Sequence, residues 1–146
     1  MTTVLQRLRV GPYREVDASL YPEAFATAVD WPEVEEWYAY RWRHVPGVPV
    51  RIFSPSSRED YETDPDLTEE EALRNLERYD MIADGLAMGF VFPPILVDEG
   101  GMVLDGYHRL AAMHDRDPEA TTDVLWAYSR APAPNPLATK RRMLSW

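Results

Sequence analysis

The stretch from Pro93 to Ala112 constrains the fold more tightly than any other part of the chain. Pro93-Pro94 lead into the apolar run Ile95-Leu96-Val97, and Gly100-Gly101 supply a hairpin-type turn. A second apolar run, Met102-Val103-Leu104, ends in Asp105, and Gly106 then opens a helical pattern at Tyr107-His108-Arg109. The order predicts strand, turn, strand and a helix that buries Leu110, Ala111 and Met113 and stops at Asp115-Arg116-Asp117-Pro118. The start of such a helix offers free backbone N–H groups and the positive end of its dipole. His108 and Arg109 add charge and directed donors there, so an anion is expected, with phosphate foremost.

Upstream of this unit, Thr68-Glu69-Glu70-Glu71 has the form of a capping box, in which the threonine oxygen accepts a helix-end N–H and Glu71 reaches back. A helix over 68–84 follows, with Leu73, Leu76, Tyr79, Ala83 and Leu86 as its buried stripe. Arg74, Asn75, Glu77, Arg78 and Asp80 form the wet face, and Gly85 or Gly89 ends it. Val48-Pro49-Val50-Arg51-Ile52-Phe53 alternates as a strand should, with Pro49 at an edge or start position. The acidic segment Glu59 to Asp66 reads as a solvated loop. Thr121 to Tyr128 reads as a last strand.

The amino-terminal part is less patterned. Val4 to Val10 suggests a short strand stopped by Gly11-Pro12, and Pro22 to Val29 a short helix. Residues 31–43 hold Trp31, Trp37, Tyr38, Tyr40 and Trp42 among charged groups. Asp30 as N-cap and the spacing Val34, Trp37, Tyr38, Arg41 predict a helix that ends before Pro46-Gly47. Core packing explains the aromatics better than a substrate wall does, since buried rings mostly pack.

Composition sets outer bounds. A chain of 146 residues is expected to form one domain with a real core, and no apolar run approaches the roughly 20 residues that cross a bilayer. With no secretion-signal pattern, a cytoplasmic location is expected. Cysteine is absent, which excludes disulfides and thiol chemistry in this sequence. The net charge of −10 disfavours general nucleic-acid binding. Acids crowd between Arg58 and Glu71, whereas Arg130, Lys140, Arg141 and Arg142 follow the last acid, Asp123, as a basic tail.

The order of proline-Ile, strand, turn, strand and Asp-Gly-x-His-Arg-x-x-Ala, at Pro94 to Ala112, resembles the ParB/sulfiredoxin superfamily. The resemblance spans about residues 48–128. It implies an α+β fold, a small mixed sheet packed with helices. On that reading residues 1–47 form a partly helical extension packed on the core, 48–128 the nucleotide-binding core, and 129–146 a basic tail. It also implies that Gly106, Tyr107, His108 and Arg109 hold the phosphates of ATP, ADP or another nucleotide. Sulfiredoxins carry a catalytic cysteine where this chain has Tyr107, so their chemistry is excluded. Free-serine kinases carry Asp-Gly-His-His-Arg, which departs from this sequence only at Tyr107, and they are the branch it resembles most. ParB proteins carry Gly-Glu-Arg-Arg, and their DNA-binding helical domain has no counterpart here.

The kinase resemblance implies an enzyme that moves a phosphoryl group from ATP or ADP, with Mg2+, to a hydroxyl of an amino acid or similar metabolite. Asp105 would bind magnesium or orient the acceptor, or else cap the following helix. His108 would donate to phosphate, and Arg109 would face solvent as a phosphate fork. Glu59, with Asp60 second, stands near the position of the family's general base, although the spacing is shifted. Thr68, Arg130 and Arg141 are candidate outer contacts. The metal ligands are open. The alternative is a non-catalytic nucleotide-sensing or partner-binding module with the same cradle, in which the aromatic segment makes the contact. No membrane association is expected.

Overall fold

The computed structural model describes residues 2–26, 28 and 31–130. The expected roles of Val29, Asp30, Lys140, Arg141 and Arg142 therefore lie outside the described residues, as does the tail from Ala131 onward. In chain order the elements are α1 (Val4–Val10), β1 (Arg14–Val16), a 3-10 turn (Ala18–Leu20), α2 (Pro22–Ala26) and α3 (Val34–Trp37). Next come β2 (Arg41–Pro49), a second 3-10 turn (Val50–Phe53), α4 (Arg58–Thr63) and α5 (Glu69–Ala87). The chain then forms β3 (Ile95–Val97), β4 (Val103–Asp105), α6 (Tyr107–Arg116) and β5 (Thr121–Ser129). The protein is α+β, with a five-stranded mixed sheet ordered β1-β2-β5-β3-β4.

Pairing is antiparallel except between β3 and β5, which run parallel with Ile95 beside Val124. The residues that pair directly, Ile95–Val97 and Val124–Trp126, are all apolar and buried because the sheet is covered on both faces. Ile95, Val97, Val124 and Trp126 point into one core with Leu8 of α1 and Leu110 of α6. Leu96, Leu125 and Ala127 point into the other with Phe25, Trp37 and Trp42. The outer helices α4 and α5 pack beyond α6, where Tyr79 meets Ala111 and Ala112.

Four local expectations are corrected by this architecture. Val4–Val10 is a helix, not a strand: Thr3 and Gln6 form a capping box, and Val4, Leu5 and Leu8 share one helical face on the core. The predicted helix over 31–43 shrinks to α3, and Arg41 begins β2. Its spacing suits a helix, but Trp42 and Val45 go to opposite cores, as strand residues do, and the Trp42 indole donates to the Trp37 carbonyl at 2.8 Å. The strand expected over 48–53 ends at Pro49, because Val50 turns to donate its N–H to the Ala120 carbonyl at 2.9 Å. Part of the acidic segment is helical, since Ser57 and Asp60 cap α4 reciprocally.

The capped helix forms where expected, with Thr68 as N-cap, and extends to Ala87 before Gly89 takes a φ of 82°. Its stripe differs at two places: Leu73 is 58% exposed, whereas Asn75 is half-buried against α6. The boundary drawn between residues 47 and 48 falls inside β2, so the amino-terminal third contributes two strands to the same sheet. Among the described residues no helix is long and apolar enough to cross a membrane.

Candidate functional site

The hairpin and helix at 95–116 form as their sequence predicts, and their junction is tightly built. Asp98 accepts the N–H groups of Gly100 and Met102, both at 2.9 Å, which closes the turn between β3 and β4. Gly106 then adopts a φ of 122°, and a Cβ there would lie 2.4 Å from Ile95 Cδ1 and 3.2 Å from Arg109 Nη2. Only glycine fits this position. As N-cap it supplies no side-chain hydrogen bond, so the first amides of α6, at Tyr107, His108 and Arg109, have no partner within the helix.

Arg109 does not face solvent. Its side chain is 6% exposed, and Nη1 donates to the Pro93 carbonyl at 2.7 Å and the Pro94 carbonyl at 3.4 Å, while Nη2 donates to Asp105 Oδ2 at 3.0 Å. Burial works against its charge and Asp105 supports it. The guanidinium thus ties the start of α6 to the chain ahead of β3 and to the end of β4. Its donors are turned inward, away from any ligand above the helix end.

His108, half-buried, packs beside α4 and α5. Its Nε2 stands 2.9 Å from Asn75 Oδ1, and its ring stacks on Tyr61 with centroids 5.3 Å apart. Burial lowers its pKa below the ordinary value, Arg78 lowers it further, and Asp105 opposes both. Tyr107 beside it is 53% exposed. The helix start is therefore flanked by two tyrosines, a histidine and the Arg78 cation.

The remaining candidates are dispersed. Glu59 is exposed on α4, where its carbonyl accepts the Thr63 hydroxyl at 3.0 Å, and Asp60 is the capping partner of Ser57. Thr68 is occupied as the α5 cap. Arg130, just after the end of β5, lies 6.0 Å over the Tyr40 ring. Among the described residues no group of three or more acids or histidines could hold a metal ion. Magnesium carried by a nucleotide's phosphates needs only one or two carboxylates, and Asp105 is the acid nearest the helix start in sequence.

Sequence reasoning missed two partners of His108. Tyr61 was hidden in a stretch read as loop, and Asn75 was placed on the wet face of α5. Asn75 falls four residues before Tyr79, on the same helical face, and that spacing was the available signal. A His44–Asp123 pair, Nε2 to Oδ2 at 3.0 Å, carried no sequence signal because 79 positions separate its members. Protein-family models, curated proteins and solved structures provide no match to this chain.

Proposed function

We propose that this chain is a ParB/sulfiredoxin-like module that binds a nucleotide through its phosphates at the start of α6. The observation that supports this reading is the helix start at Gly106, which has no side-chain cap and whose first-turn amides have no partner within the helix, with His108 and Arg78 beside it. Gly106, Tyr107 and His108 would hold the phosphates, and the exposed Tyr107 ring offers a stacking surface for a base. Arg109 acts from beneath, fixing the helix start in place, and is not a phosphate ligand in this arrangement.

The sensing or binding role is supported over catalysis by the pairing of Asp105. A kinase would use that carboxylate on magnesium or on the acceptor hydroxyl, and here it is engaged with Arg109. Phosphoryl transfer from ATP or ADP to a small hydroxyl compound is the competing reading, supported by the motif's likeness to the serine-kinase form. Calorimetry with ATP, ADP and CTP, with and without Mg2+, tests binding; phosphorus NMR with a pool of hydroxylated metabolites tests transfer. Binding without transfer is the expected result, and transfer would establish the kinase reading instead. Affinities unchanged by His108→Ala and by Arg78→Gln, or no binding at all, would remove the phosphate site.

A further inference from the structure

A cavity lies at the far end of α6, away from the helix start. It has a volume of about 670 Å³ and opens where β3 and β5 begin. That volume falls within the roughly 300–1,000 Å³ of small-molecule sites. Leu86, Phe92, Pro94 and Met113 supply apolar wall, contributed by α5, the chain ahead of β3, and α6. Arg14 of β1, His44 of β2 and Arg116 of the last turn of α6 supply the basic groups.

Hydrogen-bond accounting separates the acids from the bases in this cavity. Asp123 accepts from His44 Nε2 at 3.0 Å and from the Gly47 N–H at 3.3 Å, and Asp117 accepts the Glu119 N–H at 2.9 Å. Both carboxylates are thus engaged with the protein. The guanidinium groups are not: among the described residues Arg14 donates only to the Tyr21 hydroxyl, at 3.3 Å, and Arg116 has no hydrogen bond or ion pair. In a chain of net charge −10, two arginines with no carboxylate partner among the described residues line one partly apolar cavity and leave directed donors for an incoming anion.

We propose that this cavity binds a small aromatic carboxylate, with the ring against Phe92, Pro94 and Met113 and the carboxylate on Arg14 and Arg116. The apolar wall favours a hydrocarbon body, and the planar guanidinium fork matches a carboxylate in geometry as well as charge. His44, held by Asp123 and lying opposite Arg14 in the β1–β2 register, adds a further polar group to the lining.

Calorimetric titration of the full chain with phenylacetate and with indoleacetate tests the proposal, using phenylethanol as the uncharged control. The carboxylates should bind, phenylethanol should bind far more weakly, and Arg14→Gln and Arg116→Gln should each weaken carboxylate binding about tenfold or more. His108→Ala should leave it unchanged, which separates this cavity from the phosphate site. Matched circular dichroism and melting temperatures establish that the variants fold. Absence of carboxylate binding up to the order of 10 mM, equal binding of phenylethanol, or binding indifferent to both arginine substitutions would each overturn the assignment.

Discussion

Arg109 and Asp105, one helical turn apart in sequence, form an ion pair at 3.0 Å with side chains only 6% and 19% exposed. Two proline carbonyls complete the guanidinium's shell, at 2.7 and 3.4 Å. A residue that looks from its motif like a ligand for an external anion is satisfied by an internal one. The pair joins three consecutive pieces of chain: the approach to β3, the end of β4 and the start of α6.

Removal of Arg109 should therefore act on stability first. Arg109→Ala leaves Asp105 buried without its cation and two carbonyls without donors, and breaking a buried pair costs about 3–5 kcal/mol. Urea unfolding of the variant reads this directly. A loss under about 1 kcal/mol would show that the pair does not hold the junction.

Gly106 and Gly89 both adopt positive φ, yet alanine should affect them differently. At Gly106 the new Cβ would meet Ile95 at 2.4 Å, and backbone strain plus overpacking predicts a loss of about 2 kcal/mol or more. At Gly89 nothing lies within 4 Å, so only the left-handed backbone penalty of about 1 kcal/mol applies. Equal losses at the two positions would contradict the packing of Gly106 on β3.

His108 should impose a pH dependence of defined sign. Burial, then Arg78, depress its folded pKa below the unfolded value of 6.5. Below 6.5 the unfolded chain then binds the proton more readily, so stability falls as the pH drops from there through the folded pKa and levels off beneath it. NMR titration should place the ring's midpoint below 6.5, and Arg78→Gln should move it upward. His108→Gln should flatten the stability profile in the same window. A wild-type midpoint at or above the ordinary value would reverse the sign.

Asp115 fastens α4 and α5 to α6, accepting the Tyr79 hydroxyl at 2.7 Å and the Arg58 N–H at 2.9 Å. The same contact raises the Tyr79 pKa, after burial. Asp115→Ala should release α4 locally while the sheet persists, seen as faster amide exchange over residues 58–63 and little change in β5. Uniform loss of protection across both would mean that α4 is not a separate unit. Tyr79→Phe should cost about 1 kcal/mol.

The hairpin-helix unit was legible because its signals are local. Glycines at the turn and at Gly106, apolar runs of strand length, and the Thr68 cap each act within a few residues, so neither burial nor pairing was needed to interpret them. The strand expected at 4–10, the helix expected through 41–43 and the strand expected to run on through 50–53 were misread because short apolar patterns fit either period. Val45 is a strand residue on account of Val124 in β5, 79 positions away, and Trp42 pairs with Val16 of β1.

By itself, the sequence determined where the β3–β4 hairpin turns and where α5 and α6 begin, because turn chemistry and capping are satisfied by neighbours in the chain. Only the tertiary structure decided that β1 and β2 complete one sheet, that Arg109 points inward to Asp105 and the proline carbonyls, and that His108 meets Asn75 and Tyr61. Which way a long polar side chain turns depends on the donors and acceptors that packing brings within about 3 Å, and these come from elements distant in sequence.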